Sequence, residues 1–503
     1  MSTDEARVTV EAPPPPTPDI LDTADAGPRV VRGSALRTGA YMLSLGLSLV
    51  SVPFMIRHLG SVDYGYFVTV SSIVFIIGGI TEAGLTYAGI REVSTLEGAG
   101  RSRYLRNLVG LRFALTIPAI AIAVALTALT GADAPIVYGT AITGFGLILA
   151  LTQQTYMIPL NAELRLGWVA ALELLKQATL SAAFIFFVLI GGRLIDFFWA
   201  SVIAGAAMIA ATLLLVRQHG SLRPEFDLRT WRRVLVETLP YAVATAVGLV
   251  YFRIVVVLMS YIATGEETGI FSAAFRITEV VVATAWIVVS SAFPILARAA
   301  RDDEDRLAYG LQRVFEVSLI VGTGMAIGLG VGAPFAIDVV AGHGFDASVP
   351  VLRIQSLALI TSFLLATWAL ALLALKRFRD VMFANLLAAV ISIGGTFALV
   401  PPLGAKGGAI AIVAAEAALV VASIFLLHRA RPALTPKLGV VPKVLAASAG
   451  AIGITLPLSG APSVVLSVLA MAVFAAVILL TRALPPEAFQ AFSSWRPAGG
   501  RTG

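Results

Sequence analysis

Two stretches decide the fold. The first reads Arg57-His58-Leu59-Gly60-Ser61-Val62-Asp63-Tyr64-Gly65-Tyr66-Phe67, and the second reads Tyr261-Ile262-Ala263-Thr264-Gly265-Glu266-Glu267-Thr268-Gly269-Ile270-Phe271. Each joins one long apolar run to the next through a short polar turn, and each then gives glycine, an apolar residue and phenylalanine. A shift of 204 residues superposes them. Outward from both, apolar runs recur, each long enough to cross a hydrocarbon core of about 30 Å as a helix. Helices satisfy their own backbone hydrogen bonds, which lipid demands of any open chain. Fourteen spans are expected, near 38–57, 64–90, 107–130, 136–160, 168–190, 195–216, 239–262, 268–293, 311–333, 350–374, 381–400, 406–427, 444–459 and 462–480. The expected fold class is all-α: a polytopic membrane protein with two parallel six-helix repeats and a C-terminal helix pair.

Composition agrees. The 503 residues are 58% hydrophobic and 13% charged, with no cysteine and a mean hydropathy of +0.89. A soluble chain is nearer one quarter charged. A soluble enzyme, a disordered protein and a disulfide-stapled fold are excluded. The net charge of +6 does not point to nucleic acid. With the N-terminus inside, cytoplasmic tails and loops hold 28 of the 36 Lys and Arg, and external loops hold three: Arg57, Arg193 and Lys406. That asymmetry is the positive-inside signal of a multi-pass membrane protein, and it sets both termini in the cytoplasm.

The expected organisation follows. Residues 1–33, with the proline run Pro13 to Pro16, form a disordered cytoplasmic tail. Residues 34–216 and 239–428 are two six-helix lobes, joined by a basic linker at 217–238. Residues 429–482 add two spans, and 483–503 form a second tail. Gly192 and Gly404 precede the last span of each lobe. Repeats related about the membrane normal are common in transporters, with the substrate site between the halves. Pro118, Pro159, Pro240 and Pro294 are candidate helix bends.

Further segments carry a family resemblance. They are Glu82-Ala83-Gly84-Leu85 with Arg91-Glu92-Val93, Arg232-Arg233 with Leu239-Pro240, the run from Glu267 to Ile277, Gly342 to Phe345 with Val351-Leu352-Arg353, and Leu399 to Ala411. Taken with residues 57–67, over roughly 34–427, the chain resembles the polysaccharide (O-antigen type) flippases. These belong to the multidrug/oligosaccharidyl-lipid/polysaccharide exporter superfamily. It departs from them where an acid often follows the arginine of the seventh span, since Ile254 follows Arg253, and in carrying Glu82 where aspartate is common. The resemblance implies movement of a polyprenyl-phosphate-linked oligosaccharide to the outer leaflet of the inner membrane, for cell-surface polysaccharide assembly. It also implies membrane lipids and polysaccharide polymerase or assembly proteins as partners, with no nucleic acid.

A sugar phosphate crosses hydrocarbon only through a wet, polar cavity. Charged residues inside spans are costly and are therefore the candidates for one. On the eighth span, Ser272, Arg276, Glu279, Ala283 and Trp286 share a helical face. The shift of 204 carries the last four onto Ser72, Phe75, Gly79 and Glu82 of the second span. Arg253 lies about 13 Å, and Glu279 about 16 Å, from the outer end of its span at 1.5 Å per residue, so the two can meet. Arg253, Arg276, Lys176, Ser72 and Ser272 are the candidate substrate contacts. Glu82, Glu279 and Glu416 are candidates for ion coupling or for structural ion pairs. If Glu279 takes one arginine, the other is left for phosphate. Lys176 has an alternative partner in Glu173. Arg112 and Glu316 are expected to snorkel or to pair across the lobes, Arg353 to snorkel, and Arg57 and Arg193 to be ordinary loop residues.

No phosphate-cradling G-x-x-x-x-G-K-[ST] loop occurs, so ATP is not the expected direct energy source. His58, His219, His343 and His428 lie in separate loops. No cofactor, metal or enzymatic activity is expected. Three rivals remain: a cation-coupled drug exporter of the same superfamily, an integral membrane glycosyltransferase or polymerase using the external loop 334–349, and a non-transporting scaffold.

Overall fold

The computed structural model describes residues 26–82, 84–216, 223–290, 304–375, 377–458 and 460–484. Residues 1–25 of the expected tail 1–33, Arg217, Pro294 and the tail beyond 484 lie outside the described residues. Helix is the regular structure throughout them, with no strand among the described residues. The helices are α1 (Ala26–Glu82), α2 (Leu85–Val93), α3 (Gly98–Leu129), α4 (Ala134–Ala162), α5 (Leu166–Leu189), α6 (Leu194–Val216), α7 (Leu228–Ile262) and α8 (Gly265–Ser290). They continue with α9 (Glu304–Val331), α10 (Ala333–Val340), α11 (Ser348–Ser356), α12 (Ala358–Ala374), α13 (Phe378–Leu403), α14 (Ala405–Ala430), α15 (Val441–Thr455) and α16 (Ser463–Leu480).

Eleven helical stretches among the described residues are long and apolar enough to cross a membrane. The first of these doubles back: α1 breaks at Gly60, whose φ of 70° is open to glycine at little cost. That break makes α1 two crossings. With α7 and α8, fourteen crossings result, and the chain is a polytopic, multi-pass membrane protein.

Several boundaries differ from the sequence expectation. The second span stops at Glu82, and a separate helix, α2, begins after Gly84, which is itself left-handed with φ 74°. The tenth span is two helices, α11 and α12, and the expected external loop contains the helix α10. Helix α1 already starts at Ala26, inside the expected tail. Helix α7 starts at Leu228, ahead of the expected 239, because Asp227 accepts from the Arg229 amide at 3.0 Å and caps its first turn. The Thr230 hydroxyl and that amide also hold the exposed Asp227 carboxyl below the usual carboxylate range. Pro118 and Pro159 sit inside continuous helices; the sharp bend is the glycine's.

The first six crossings pack chiefly on one another, as do α7 to α14, and α15 and α16 pair against α9. The two bundles meet along α1, α7 and α8. Toward the ends of these helices nearest the Gly60 break the meeting is dry. Met55, Ile56 and Tyr64 of α1 are buried with Met259, Phe271, Ile337 and Phe345. At its centre, Gly65 lies against Gly269. A Cβ on Gly65 would stand 2.7 Å from the Gly265 carbonyl oxygen and 3.0 Å from the Gly269 nitrogen, so only glycine permits this crossing. At the other end, the described part of the linker docks on the first bundle. Glu225 pairs with Arg106 at 2.7 Å and accepts from Asn107 at 3.1 Å. The Asn107 side chain accepts from the Asp227 amide at 2.9 Å.

Candidate functional site

Helix α8 places Arg276 and Glu279 one turn apart on the face turned toward the first bundle. Helix α7 brings Arg253 to the same point. Glu279 accepts from Arg253 through one oxygen and from Arg276, at 3.0 Å, through the other. A second Arg276 nitrogen donates to the Ser48 hydroxyl of α1 at 3.0 Å, across the bundle boundary. The Arg253 guanidinium lies 4.9 Å from the Phe75 ring centre, 5.4 Å from that of Phe275 and 5.7 Å from that of Phe252. Ring faces attract a cation, and more so where water is excluded.

Glu279 thus takes both arginines, where the sequence left one for phosphate. The cluster still carries one net positive charge. Its exposure is graded: the Arg253 side chain is 11% exposed, Glu279 21% and Arg276 33%. Arg253 is the clamped member and Arg276 the open one. The cluster borders a cavity of about 200 Å³ that Tyr64, Ser71 and Ser272 also line. At roughly 30 Å³ per water, that volume holds about six or seven waters.

The remaining sequence candidates are distributed. Ser272 lines the cavity and Ser72 does not; both are fully buried, and neither hydroxyl has a hydrogen-bond partner among the described residues. Phe75 and Gly79, on the same face of α1, meet Arg253 and Leu249 of α7. The Trp286 side chain is outside the described residues. Glu82 is away from the cluster. It accepts from the Gly84 and Thr86 amides at 2.9 and 3.0 Å, at the start of α2, and stands 3.7 Å from Arg112. A carboxylate there meets the positive end of the helix dipole. Arg112 does not snorkel: it is 1% exposed and donates to Thr86 at 2.6 Å. Glu316 pairs locally with Arg313 at 2.8 Å rather than across the lobes.

Lys176 borders a separate cavity of about 170 Å³ inside the first bundle, with Gln153, Gln154 and Ser201. Glu173 pairs with Arg37 at 2.9 Å rather than with Lys176. Glu416 is buried on α14 and accepts from Thr361 at 2.7 Å and Ser362 at 3.0 Å. It borders a cavity of about 580 Å³ in the second bundle that also reaches Tyr251, Asn385 and Glu279. Glu279 therefore stands between two cavities. Among the described residues, no three His, Cys, Asp or Glu gather as a metal site.

Arg57 is no ordinary loop residue. It donates to the carbonyls of Asp338 and Val339, at 2.8 and 2.5 Å, at the end of α10. These carbonyls end a helix, where a cation is favoured. Arg57 thereby latches the two bundles at the rim of their boundary. Nothing in its local sequence signals partners so distant along the chain.

Residues 30–300 match the family described as polysaccharide biosynthesis protein. The chain belongs to that family. No curated protein matches the chain. Among solved structures, this member of the family is similar to "Lipid II flippase MurJ, inward closed conformation". The identity is 14% and the TM-score 0.73, with 89% of this chain and 99% of that one covered. It is also similar to an inward-facing multidrug resistance MATE family transporter of the MOP superfamily, at 14% identity and TM-score 0.55, covering 80% and 98%. A eukaryotic MATE transporter matches at 14% identity and TM-score 0.51, covering 81% and 99%. The chain shares the fold of these structures, in keeping with the fold that the sequence resemblance implied.

Proposed function

We propose that this protein is a flippase. It moves a polyprenyl-phosphate-linked oligosaccharide from the cytoplasmic to the outer leaflet of the inner membrane, by alternating access, for cell-surface polysaccharide assembly. The observation that carries the reading is the Arg253–Glu279–Arg276 cluster, with one net positive charge at the boundary between two bundles. A cation there offers the phosphate charge-assisted hydrogen bonds that lipid denies it. Arg276, the more open arginine, is the primary phosphate contact, with Ser272 beside it. Glu279 holds both arginines in place, one on each oxygen. Glu416, held by two hydroxyls, is the best-placed acid for ion coupling. Glu82 and Lys176, in their own surroundings, serve the first bundle.

The family, and the likeness to a structure named as a lipid II flippase, support a lipid-linked substrate. The inner-membrane placement, with both termini cytoplasmic, rests on the 28-to-three distribution of basic residues. We read 34–216 and 239–428 as parallel repeats, joined by 217–238. The contact of Gly65 with Gly269, its counterpart at a shift of 204, supports that reading. Polymerase and assembly proteins are the expected partners.

The MATE likenesses favour a second reading, a drug exporter. They cover less of this chain than the flippase structure does. The test is direct. Vesicles carrying the purified protein receive either a lipid-linked oligosaccharide or a cationic dye. The flippase exposes the sugar to an added glycosidase and leaves the dye in place; dye movement without sugar exposure selects the exporter.

A further inference from the structure

A larger cavity, of about 1130 Å³, opens where α9 and α15 begin and α16 ends. It is far in function from the arginine cluster and shares no residue with it. Arg313, Lys437, Lys443 and Arg482 line it, with Glu316 as its one acid. Glu316 is already paired with Arg313 at 2.8 Å. The balance is three positive charges around one opening.

The pocket is held in shape. Gln312 of α9 clamps the Lys437 backbone twice, accepting from its amide at 2.7 Å and donating to its carbonyl at 3.0 Å. Lys443 donates to the Arg482 carbonyl at 3.3 Å, just past the end of α16. Arg482 takes a left-handed backbone, φ 48°, just after α16 ends. The side chains of Lys437 and Arg482 are exposed and have no ion pair among the described residues.

Grease borders the charge. Val440, Ile478 and Leu479 form pocket wall. Leu480 is 82% exposed, Leu438 and Leu445 are each 63% exposed, and Leu479 is 52% exposed. On a membrane protein, such leucines face acyl chains. A soluble anion has no use for them, whereas a phospholipid places its phosphate among the cations and its chains along the leucines. Under the orientation proposed above, on which this rests, the pocket lies at the cytoplasmic leaflet, whose anionic lipids attract basic segments.

We propose that this pocket binds the phosphate headgroup of an anionic phospholipid, as a site separate from transport. The full chain in detergent is mixed with phosphatidylglycerol, with phosphatidylcholine, or with phosphatidylglycerol plus inorganic phosphate. Retained lipid is counted by native mass spectrometry. Wild type should keep phosphatidylglycerol over phosphatidylcholine, and millimolar phosphate should not displace it. Lys437→Gln with Arg482→Gln should weaken that retention by about fivefold for each residue. The external Lys406→Gln should leave it unchanged. Equal retention of the two lipids, full displacement by inorganic phosphate, or an unaltered double variant would each overturn the proposal. Retention needs no transported substrate. A protein that holds the lipid but flips no sugar therefore sinks the flippase reading alone.

Discussion

The boundary between the bundles contains two contrasting regions. Its outer half, in the orientation proposed above, is closed by packing: Tyr64 against Phe345, Gly65 against Gly269, and the Arg57 latch at the rim. Its middle is closed by charge, with Glu279 between two arginines and a small void beside them. Packed apolar surface is insensitive to what occupies the void. An ion cluster is not: under the proposed function, an incoming phosphate competes with Glu279 for Arg276. The contrast teaches where a substrate can act. On that proposal it alters the middle, and the outer half must then trade one packed arrangement for another.

Locking the outer half gives the largest effect. The chain has no cysteine, so Arg57→Cys with Val339→Cys supplies the two thiols that a short bis-thiosulfonate cross-linker needs, each attacking a thiosulfonate sulfur and displacing sulfinate to leave a reducible disulfide. Transfer in vesicles should fall to background on cross-linking and return on reduction. Transfer that continues through the intact link would mean that the outer seal never opens.

Removing the acid from the middle comes next. Glu279→Ala leaves two part-buried arginines without a counter-charge and should cost about 3–5 kcal/mol, read from thermal unfolding in detergent. A melting temperature equal to wild type would mean that the arginines are solvated rather than paired.

Loosening the glycine crossing is smaller. In Gly269→Ala the new methyl meets the Ser61 backbone carbonyl, and overpacking costs about 1–3 kcal/mol. A cysteine introduced as Ile337→Cys, buried in the seal, should then label faster with a water-soluble maleimide. Unchanged labelling would place the seal elsewhere.

Much of this boundary was legible in the sequence, for identifiable reasons. Span number follows from apolar length, because the bilayer imposes one thickness on every crossing. The meeting of Arg253 with Glu279 follows from counting depth at a fixed rise per residue. The pairing of Arg276 with Glu279 follows from helical spacing. Partner choice across bundles does not follow from local pattern. Arg57 looks like a loop residue because its acceptors are backbone carbonyls, which any sequence supplies. Glu82 reads as a mid-span acid, but the chain breaks just after it, and it caps α2 instead. Lys176 reads as a partner for Glu173, until Arg37 takes that acid. The sharing of Glu279 by two arginines is decided by how α7 packs on α8, since spacing permits either pair.

The central claim is that Arg276 holds the transported phosphate. It is tested by Arg276→Ala in vesicles with a lipid-linked oligosaccharide, at matched protein levels. A charge-assisted hydrogen bond of about 1.5–3 kcal/mol predicts transfer reduced roughly 10- to 100-fold, with part of it restored in Arg276→Lys. Wild-type transfer in Arg276→Ala, and again in Arg253→Ala, would contradict the account.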